Sequence, residues 1–294
     1  MCLEYILYLS CPDKPGIVAA VSGFLAAKGA NILDSAQFGD CQSGKFFLRI
    51  HFADIEGKGK SSALRLQEYR TAFAPLALKF SMNRDVGDWH INQAGAKLNS
   101  MIMVSRHGHC LNHLLYRYRT GVLPINIQAI ISNHLDYRGL AEWHAIPFHY
   151  IPITPTSKQQ AEAQLRQLMI DNSTELLVLA RYMQVLGQEF CRDYSGKIIN
   201  IHHSFLPSFA GAKPYHRAHE RGVKLIGATA HYVTEDLDEG PIIEQEVERV
   251  DHRMTPEQLA EIGKDIEAKV LAKAVTLHAE HRILLNNNRT VVFN

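Results

Sequence analysis

Glu175-Leu176-Leu177-Val178-Leu179-Ala180 is a short, unbroken run of branched apolar residues. A strand that is buried on both faces of a parallel sheet has this composition, whereas a half-exposed strand alternates apolar and polar residues. Similar strand candidates lie on either side of it, at 100–104, 126–132, 149–153 and 197–201. Helical patterns separate them, at 110–119, 138–145, 157–170 and 188–194. This alternation predicts a doubly wound, Rossmann-like α/β domain over 99–294.

The first 84 residues have a different pattern. Phe46, Leu48 and Ile50 alternate with Phe47 and Arg49, as expected for a half-buried strand. Strands are predicted at 4–10, 31–40, 45–54 and 76–83, and helices at 17–28 and 61–74. The order β-α-β-β-α-β predicts a ferredoxin-like domain over 1–84. The polar segment 85–98 has no clear periodicity, and we interpret it as a linker.

Composition excludes several classes of protein. The 294 residues carry 31 Lys plus Arg and 30 Asp plus Glu, so the chain has no basic field for a nucleic acid. The longest uncharged apolar run, 15–27, is shorter than the ~20 residues of a membrane span. Glu4 and the absence of an early basic cluster argue against a secretory signal. The five cysteines are far apart and form no CxxC pair, so we expect reduced thiols and a cytoplasmic protein.

Candidate chemistry lies at the ends of two predicted strands. Asn200 and His202 are two positions apart, so both side chains face the same side of a strand. The amide can donate to a developing oxyanion, and the imidazole can transfer a proton. Four carboxylates follow the apolar segment 226–233, and one of them could orient His202: Glu235, Asp236, Asp238 and Glu239.

Other interpretations of these residues remain open. Each polar residue could be a satisfied structural group. His202, His203 and His231 could together bind a metal ion, although adjacent histidines point apart. Cys110, next to His109, could be a nucleophile, but a buried thiol is the simpler interpretation.

The N-terminal region resembles an ACT domain. The resemblance rests on Asp13-Lys14-Pro15-Gly16-Ile17-Val18, followed by Gly29-Ala30-Asn31-Ile32. It implies a regulatory module in which Asp13, Gly16 and Asn31 contribute to an amino-acid effector site, with methionine and glycine as candidate effectors. It also implies a homo-oligomer, either a dimer or a tetramer. The alternative is a dimerisation module without a ligand.

The C-terminal region resembles the formyltransferase family that uses 10-formyltetrahydrofolate. The resemblance rests on Asn200-Ile201-His202-His203-Ser204-Phe205-Leu206-Pro207, then Gly211, then HYVTEDLDEGP at 231–241. It implies that Asn200, His202 and Asp238 are catalytic. Substrate contacts are implied for a folate loop and three further residues: Arg181, Tyr182, Met183, Gln184, Val185, Glu235, Asp236 and His109. The folate is then the substrate, and neither a cofactor nor a metal is expected.

The loop after the first strand of this region indicates which members of the formyltransferase family the chain resembles. Ser105-Arg106-His107-Gly108-His109-Cys110-Leu111 has one glycine, whereas a phosphate-cradling loop is glycine-rich. Together with the ACT-like region, this loop is similar to the formyltetrahydrofolate deformylase family. The resemblance implies hydrolysis of 10-formyltetrahydrofolate, with formate supplied to purine synthesis and one-carbon pools kept in balance. Whether His202 or Asp238 is the first base stays open.

Three alternatives to this hydrolase remain. The first is a transferase that passes the formyl group to a small amine such as glycinamide ribonucleotide. The second is a folate sensor without catalysis, and the third is a metal-dependent hydrolase.

Overall fold

The computed structural model describes residues 3–55, 61–83, 88–154, 156–206 and 214–294. The chain divides into two compact units. The first comprises Met1–Ala96, Glu280–Asn286 and Val291–Asn294, and the second comprises Lys97–Ala279 and Asn287–Thr290. Among the described residues, no helix is both long enough and apolar enough to cross a membrane.

The first unit is built on a four-stranded antiparallel sheet. Its strands are β1 (Leu3–Pro12), β2 (Ala30–Asp40), β3 (Lys45–Asp54) and β4 (Trp89–Gln93), in the order β2-β3-β1-β4. The helices α1 (Ile17–Ala27) and α2 (Ser62–Lys79) complete the β-α-β-β-α-β order. On β1, Leu7 lies opposite Ile50 of β3 and Ile91 of β4, and all three side chains are buried. The ferredoxin-like prediction is confirmed.

The closing strand lies elsewhere than the sequence predicts. The prediction of a strand at 76–83 was wrong, because α2 continues through Pro75 to Lys79. Tyr69, Phe73 and Ala77 recur every four residues and are fully buried, so their packing outweighs the proline. The edge strand is instead β4, which falls within the predicted linker 85–98. That prediction was therefore wrong for Trp89–Gln93.

The second unit is built on a seven-stranded mixed sheet. Its strands are β5 (Leu98–Val104), β6 (Ile125–Ser132), β7 (Phe148–Tyr150), β8 (Leu176–Leu179), β9 (Ile198–His202), β10 (Leu225–Tyr232) and β11 (Ile242–Arg249). Its helices are α3 (His109–Arg119), α4 (Arg138–Trp143), α5 (Lys158–Asp171), α6 (Gln188–Asp193), α7 (Pro214–Glu220) and α8 (Pro256–Ala279). The strand order is β11-β10-β9-β8-β5-β6-β7, and β10 and β11 run antiparallel to their neighbours.

The strand order indicates where a ligand crevice lies in the second unit. From β5 the chain builds outwards through β6 to β7, and then returns to place β8 on the other side of β5. Parallel sheets bind ligands beyond the carboxyl ends of the strands at such a reversal.

The last two strands of the chain are β12 (Ile283–Asn286) and β13 (Arg289–Val292), which pair with each other. The prediction that all of 99–294 forms one domain was wrong for Glu280–Asn286 and Val291–Asn294, which belong to the first unit.

Candidate active site

A cavity of about 220 Å³ lies beyond the carboxyl ends of β8 and β9. It brings together ten of the residues predicted to be catalytic or to contact the substrate: Arg181, Tyr182, Met183, Gln184, Val185, Asn200, His202, Glu235, Asp236 and Asp238. His203 and His231 also line it. Pro207 and Gly211, which carry part of the formyltransferase resemblance, lie outside the described residues.

Asn200, His202, Asp238 and His231 lie together in the cavity as two hydrogen-bonded pairs, His202 with Asp238 and Asn200 with His231. The Nδ1 atom of His202 lies 3.1 Å from Oδ2 of Asp238, and the other carboxylate oxygen is 3.6 Å from Nε2 of His231. The Nδ2 atom of Asn200 is 3.2 Å from the same Nε2 atom. His231 faces Asn200 because β10 pairs with β9 in a register that sets the two residues opposite each other.

The hydrogen bonds assign the tautomers of both histidines. Nδ1 of His231 is 2.9 Å from the carbonyl oxygen of Tyr232, which can only accept, so this nitrogen carries the proton. In the neutral form of this ring, Nε2 of His231 then accepts from Asn200. Nδ1 of His202 likewise donates to the carboxylate of Asp238, so in the neutral form of this ring the unprotonated nitrogen is Nε2.

Asp238 is held as an anion. The hydrogen bond from His202 is the largest influence on the Asp238 carboxyl, and it outweighs burial and keeps the pKa of that group well below its ordinary value. Its backbone is left-handed, with φ of 58°, in the turn that returns from β10. Tyr232 and Pro241 close this turn by a 2.9 Å backbone hydrogen bond. At Gly240 a Cβ atom would lie 1.8 Å from the Tyr232 carbonyl oxygen, so the turn requires glycine there.

The predicted folate loop is fixed at several points. Arg181 opens it with a left-handed φ of 63°. The buried hydroxyl of Ser105 accepts the backbone N–H of Met183 at 2.9 Å and donates to Asn133 at 2.7 Å. The N–H of Gly187 donates to Glu162 at 2.7 Å. Ser105 follows β5, and no pattern in the sequence predicts that its hydroxyl anchors the loop.

Apolar side chains lie exposed on the walls of the cavity. Met183 and Val185 on the loop, and Leu237 in the acidic turn, are each more than half exposed. Exposed apolar residues that line a concave site with a few polar groups are typical of binding sites for flat organic ligands. Glu235 lines the same cavity and forms two 2.9 Å hydrogen bonds with Arg192, which lower its pKa.

His109 does not line the cavity and belongs instead to a buried cluster around Glu267. Its Nε2 atom is 2.7 Å from Glu267, whose side chain is 1% exposed. Tyr215 donates to the other oxygen of Glu267 at 2.7 Å, and Arg181 is 3.3 Å away. Burial raises the pKa of Glu267, but the hydrogen bond from His109 and the charge of Arg181 lower it on balance. The structure therefore does not bring His109 to the cavity that the other predicted substrate contacts share.

Metal-ligating side chains converge at one place in the described part of the chain: His109, Cys110 and Glu267. Both carboxylate oxygens of Glu267 already accept hydrogen bonds there, and the cationic Arg181 is adjacent, which disfavours a metal ion. Burial raises the pKa of Cys110 far above that of a free thiol, so a thiolate nucleophile is disfavoured. His202 and His231 bracket a carboxylate instead of completing a metal cluster.

The predicted regulatory residues are spread over the first unit. Gly16, with φ of 92°, precedes α1 and lines a surface pocket together with Lys14 and Phe46. Asp13 and Asn31 do not line that pocket; the carboxylate of Asp13 lies against Gly39, and Asn31 pairs with Ala53 across β2 and β3.

Comparisons with known proteins agree with this architecture. The family model for formyl transferases matches residues 98–275, and the ACT domain model matches residues 5–60. A formyltetrahydrofolate deformylase from Corynebacterium sp. (strain P-1) is 49% identical over 99% of this chain and 98% of its own length. One from Bacillus subtilis (strain 168) is 48% identical over 98% of this chain and 93% of its own.

A solved structure extends the similarity to three dimensions. The formyltetrahydrofolate deformylase from Burkholderia mallei superposes with a TM-score of 0.91 at 48% sequence identity. The match covers 99% of this chain and 100% of that one.

Proposed function

The chain belongs to the formyltetrahydrofolate deformylase family, and from this premise we propose that it hydrolyses 10-formyltetrahydrofolate to tetrahydrofolate and formate. The observation that carries the proposal is the Asp238–His202 pair beside Asn200 in the cavity. The carboxylate orients the imidazole so that an unprotonated Nε2 remains available as a base.

We propose that His202, not Asp238, is the first base. An aspartate with a strongly lowered pKa is a weak base, whereas Nε2 of His202 has a free lone pair. The water oxygen attacks the formyl carbon and its proton passes to Nε2. One N–H of Asn200 is directed to His231, and the other donates to the oxyanion that forms. His202 then returns the proton to N10, the C–N10 bond breaks, and tetrahydrofolate leaves together with formic acid, which loses its remaining proton to solvent and becomes formate.

The loop at 181–185 is proposed to bind the folate. Met183, Val185 and Leu237 offer apolar contact to its rings, while Arg181, Tyr182, Gln184, Glu235 and Asp236 are the polar groups of the same cavity. The proposal includes neither a cofactor nor a metal. His109 acts in it through Glu267 and not by contact with the folate.

Water as the acceptor is supported by the surroundings of His109. A transferase needs a pocket there for an amine, and a free carboxylate would suit an ammonium-bearing acceptor. Glu267 supplies a carboxylate, but His109, Tyr215 and Arg181 already occupy and neutralise it.

The remaining proposals concern the setting of the reaction. Formate would feed purine synthesis in the cytoplasm, and the balance of one-carbon pools would be the purpose of the reaction. The ACT domain would bind an amino acid in the surface pocket at Gly16, and would pair protomers into a dimer or tetramer. Titration of the activity with methionine and glycine, combined with light scattering, tests these points.

Formate and tetrahydrofolate release from 10-formyltetrahydrofolate tests the main proposal. The assay contains EDTA and no amine, and equal amounts of the two products are expected. If the protein releases nothing until glycinamide ribonucleotide is added, it is a transferase. If EDTA abolishes release, the reaction depends on a metal.

A further inference from the structure

We propose that His203 is a further catalytic residue, which holds the attacking water together with His202. The proposal rests on the hydrolytic function above. His203 is the residue after His202 in the segment Asn200-Ile201-His202-His203-Ser204, and the mechanism has so far given it no part.

Two imidazoles lie stacked at the wall of the cavity. The ring centroids of His202 and His203 are 4.7 Å apart, and their planes are inclined by 23°. Both residues line the cavity that contains Asn200 and Asp238. The prediction that adjacent histidines point apart was therefore wrong here, because the chain leaves β9 at this point and no longer alternates its side chains.

Both rings have an unused nitrogen. Among the described residues, neither Nε2 of His202 nor Nε2 of His203 has a hydrogen-bond partner, and both atoms are shielded from bulk solvent. An unmet hydrogen bond at a buried polar atom costs about 1–3 kcal/mol, so such atoms in a native site call for a partner. The water molecule that attacks the formyl group can be the hydrogen-bond partner of both nitrogens.

The charge state of His203 suits a water ligand. Burial, and then the positive charge of Arg181, lower the pKa of His203 to about 4, so its ring is neutral at neutral pH. A neutral imidazole nitrogen accepts or donates according to its tautomer, and either form holds a water molecule. One O–H of the water then points to His202, which takes that proton, while His203 fixes the oxygen against the formyl carbon. No proton moves to His203.

His203→Phe tests the proposal because phenylalanine keeps a flat ring against His202 and removes both nitrogens. His203→Asn keeps a polar side chain. His113→Phe is the matched control, since burial also lowers the pKa of this partly buried histidine on α3, which does not line the cavity. Formate release is measured with and without hydroxylamine, a nucleophile that competes with water and gives formohydroxamate.

For His203→Phe we expect kcat for formate to fall about tenfold or more, the worth of one well-placed hydrogen bond, with KM within about twofold. The ratio of formohydroxamate to formate should rise at least about threefold, because hydroxylamine does not depend on a held water. His203→Asn should retain more formate release than His203→Phe, and His113→Phe should match the wild type.

An unchanged kcat in His203→Phe overturns the proposal. An equal fall in formate and formohydroxamate also overturns it, because the substitution would then act on the formyl group and not on the attacking water. If His203→Phe fails to fold by circular dichroism, His203→Asn decides. Its product ratio must then differ from that of the wild type, and an unchanged ratio overturns the proposal. A wild type that releases no formate contradicts the proposed function itself, which is a separate outcome.

Discussion

Asp238→Asn removes the carboxylate that orients His202 and leaves the rest of the cavity in place. An amide nitrogen facing Nδ1 of His202 would favour the tautomer with its proton on Nε2, so the base would lose its lone pair. Loss of the equivalent carboxylate in a His–Asp pair of another hydrolase costs about 10⁴-fold in kcat. The contact here spans 3.1 Å, but the Asp238 side chain is 28% exposed and partly screened. We therefore expect kcat to fall about 10³-fold, or about 4 kcal/mol of barrier.

The backbone conformation at position 238 accommodates asparagine without strain. Asp238 has a φ of 58°, and asparagine adopts this left-handed region as readily as aspartate does. Thermal unfolding of Asp238→Asn should therefore remain cooperative, and its KM for the folate should change little. Glu239→Gln is the matched control, because it neutralises the neighbouring exposed carboxylate, which does not line the cavity.

The assay is formate release under saturating 10-formyltetrahydrofolate. A loss of less than about tenfold in a folded Asp238→Asn variant would refute the assignment of Asp238 as the residue that orients His202. An equal loss in Glu239→Gln would show that the acidic turn acts through its total charge and not through one contact.

Other changes test separate parts of the account. Ser105→Ala removes the acceptor of the Met183 N–H, so KM for the folate should rise about threefold or more while kcat changes little in steady-state kinetics. Gly240→Ala sets a Cβ against the Tyr232 carbonyl, so urea unfolding should show a loss of about 2 kcal/mol or more together with lower kcat; wild-type stability would contradict the required glycine. His278 is neutral in the fold, because burial lowers its pKa to about 4, whereas an unfolded histidine titrates near ~6.5. The unfolded chain therefore binds more protons below pH ~6.5, and the free energy of unfolding should fall as the pH decreases from about 6.5 to about 4. His278→Gln should flatten that decline in urea titrations at several pH values, and an unchanged slope would argue against it.

The local pattern of apolar and polar residues was enough to predict the buried strands of the second unit. The apolar run Leu176–Leu179 is β8 and is fully buried, and Asn200 and His202 lie at the end of β9 as predicted. The catalytic role of Asp238 was predicted from its place in the segment HYVTEDLDEGP at 231–241, which resembles the formyltransferase motif. The pairing of Asp238 with His202 depends on how that turn folds back, which the sequence alone does not determine.

Long-range pairing explains what the sequence could not predict. His231 lies opposite Asn200 only because β10 runs antiparallel to β9 in one register. The direction of His109 depends on Glu267, which is 158 positions away on α8. Trp89 and Ile91 are buried on β4, but the polar residues between them gave no clear strand pattern. In each case the deciding contact involves residues distant in the sequence.

The source of the oxygen in the released formate tests the central claim most directly. Wild-type protein is incubated with 10-formyltetrahydrofolate in ¹⁸O-labelled water, with EDTA and without an amine, and the formate is analysed by mass spectrometry. Hydrolysis through the Asp238–His202 pair predicts one solvent oxygen in each formate and an equal amount of tetrahydrofolate. Recovery of the formyl group on an added amine, with no labelled formate in its absence, would contradict the account.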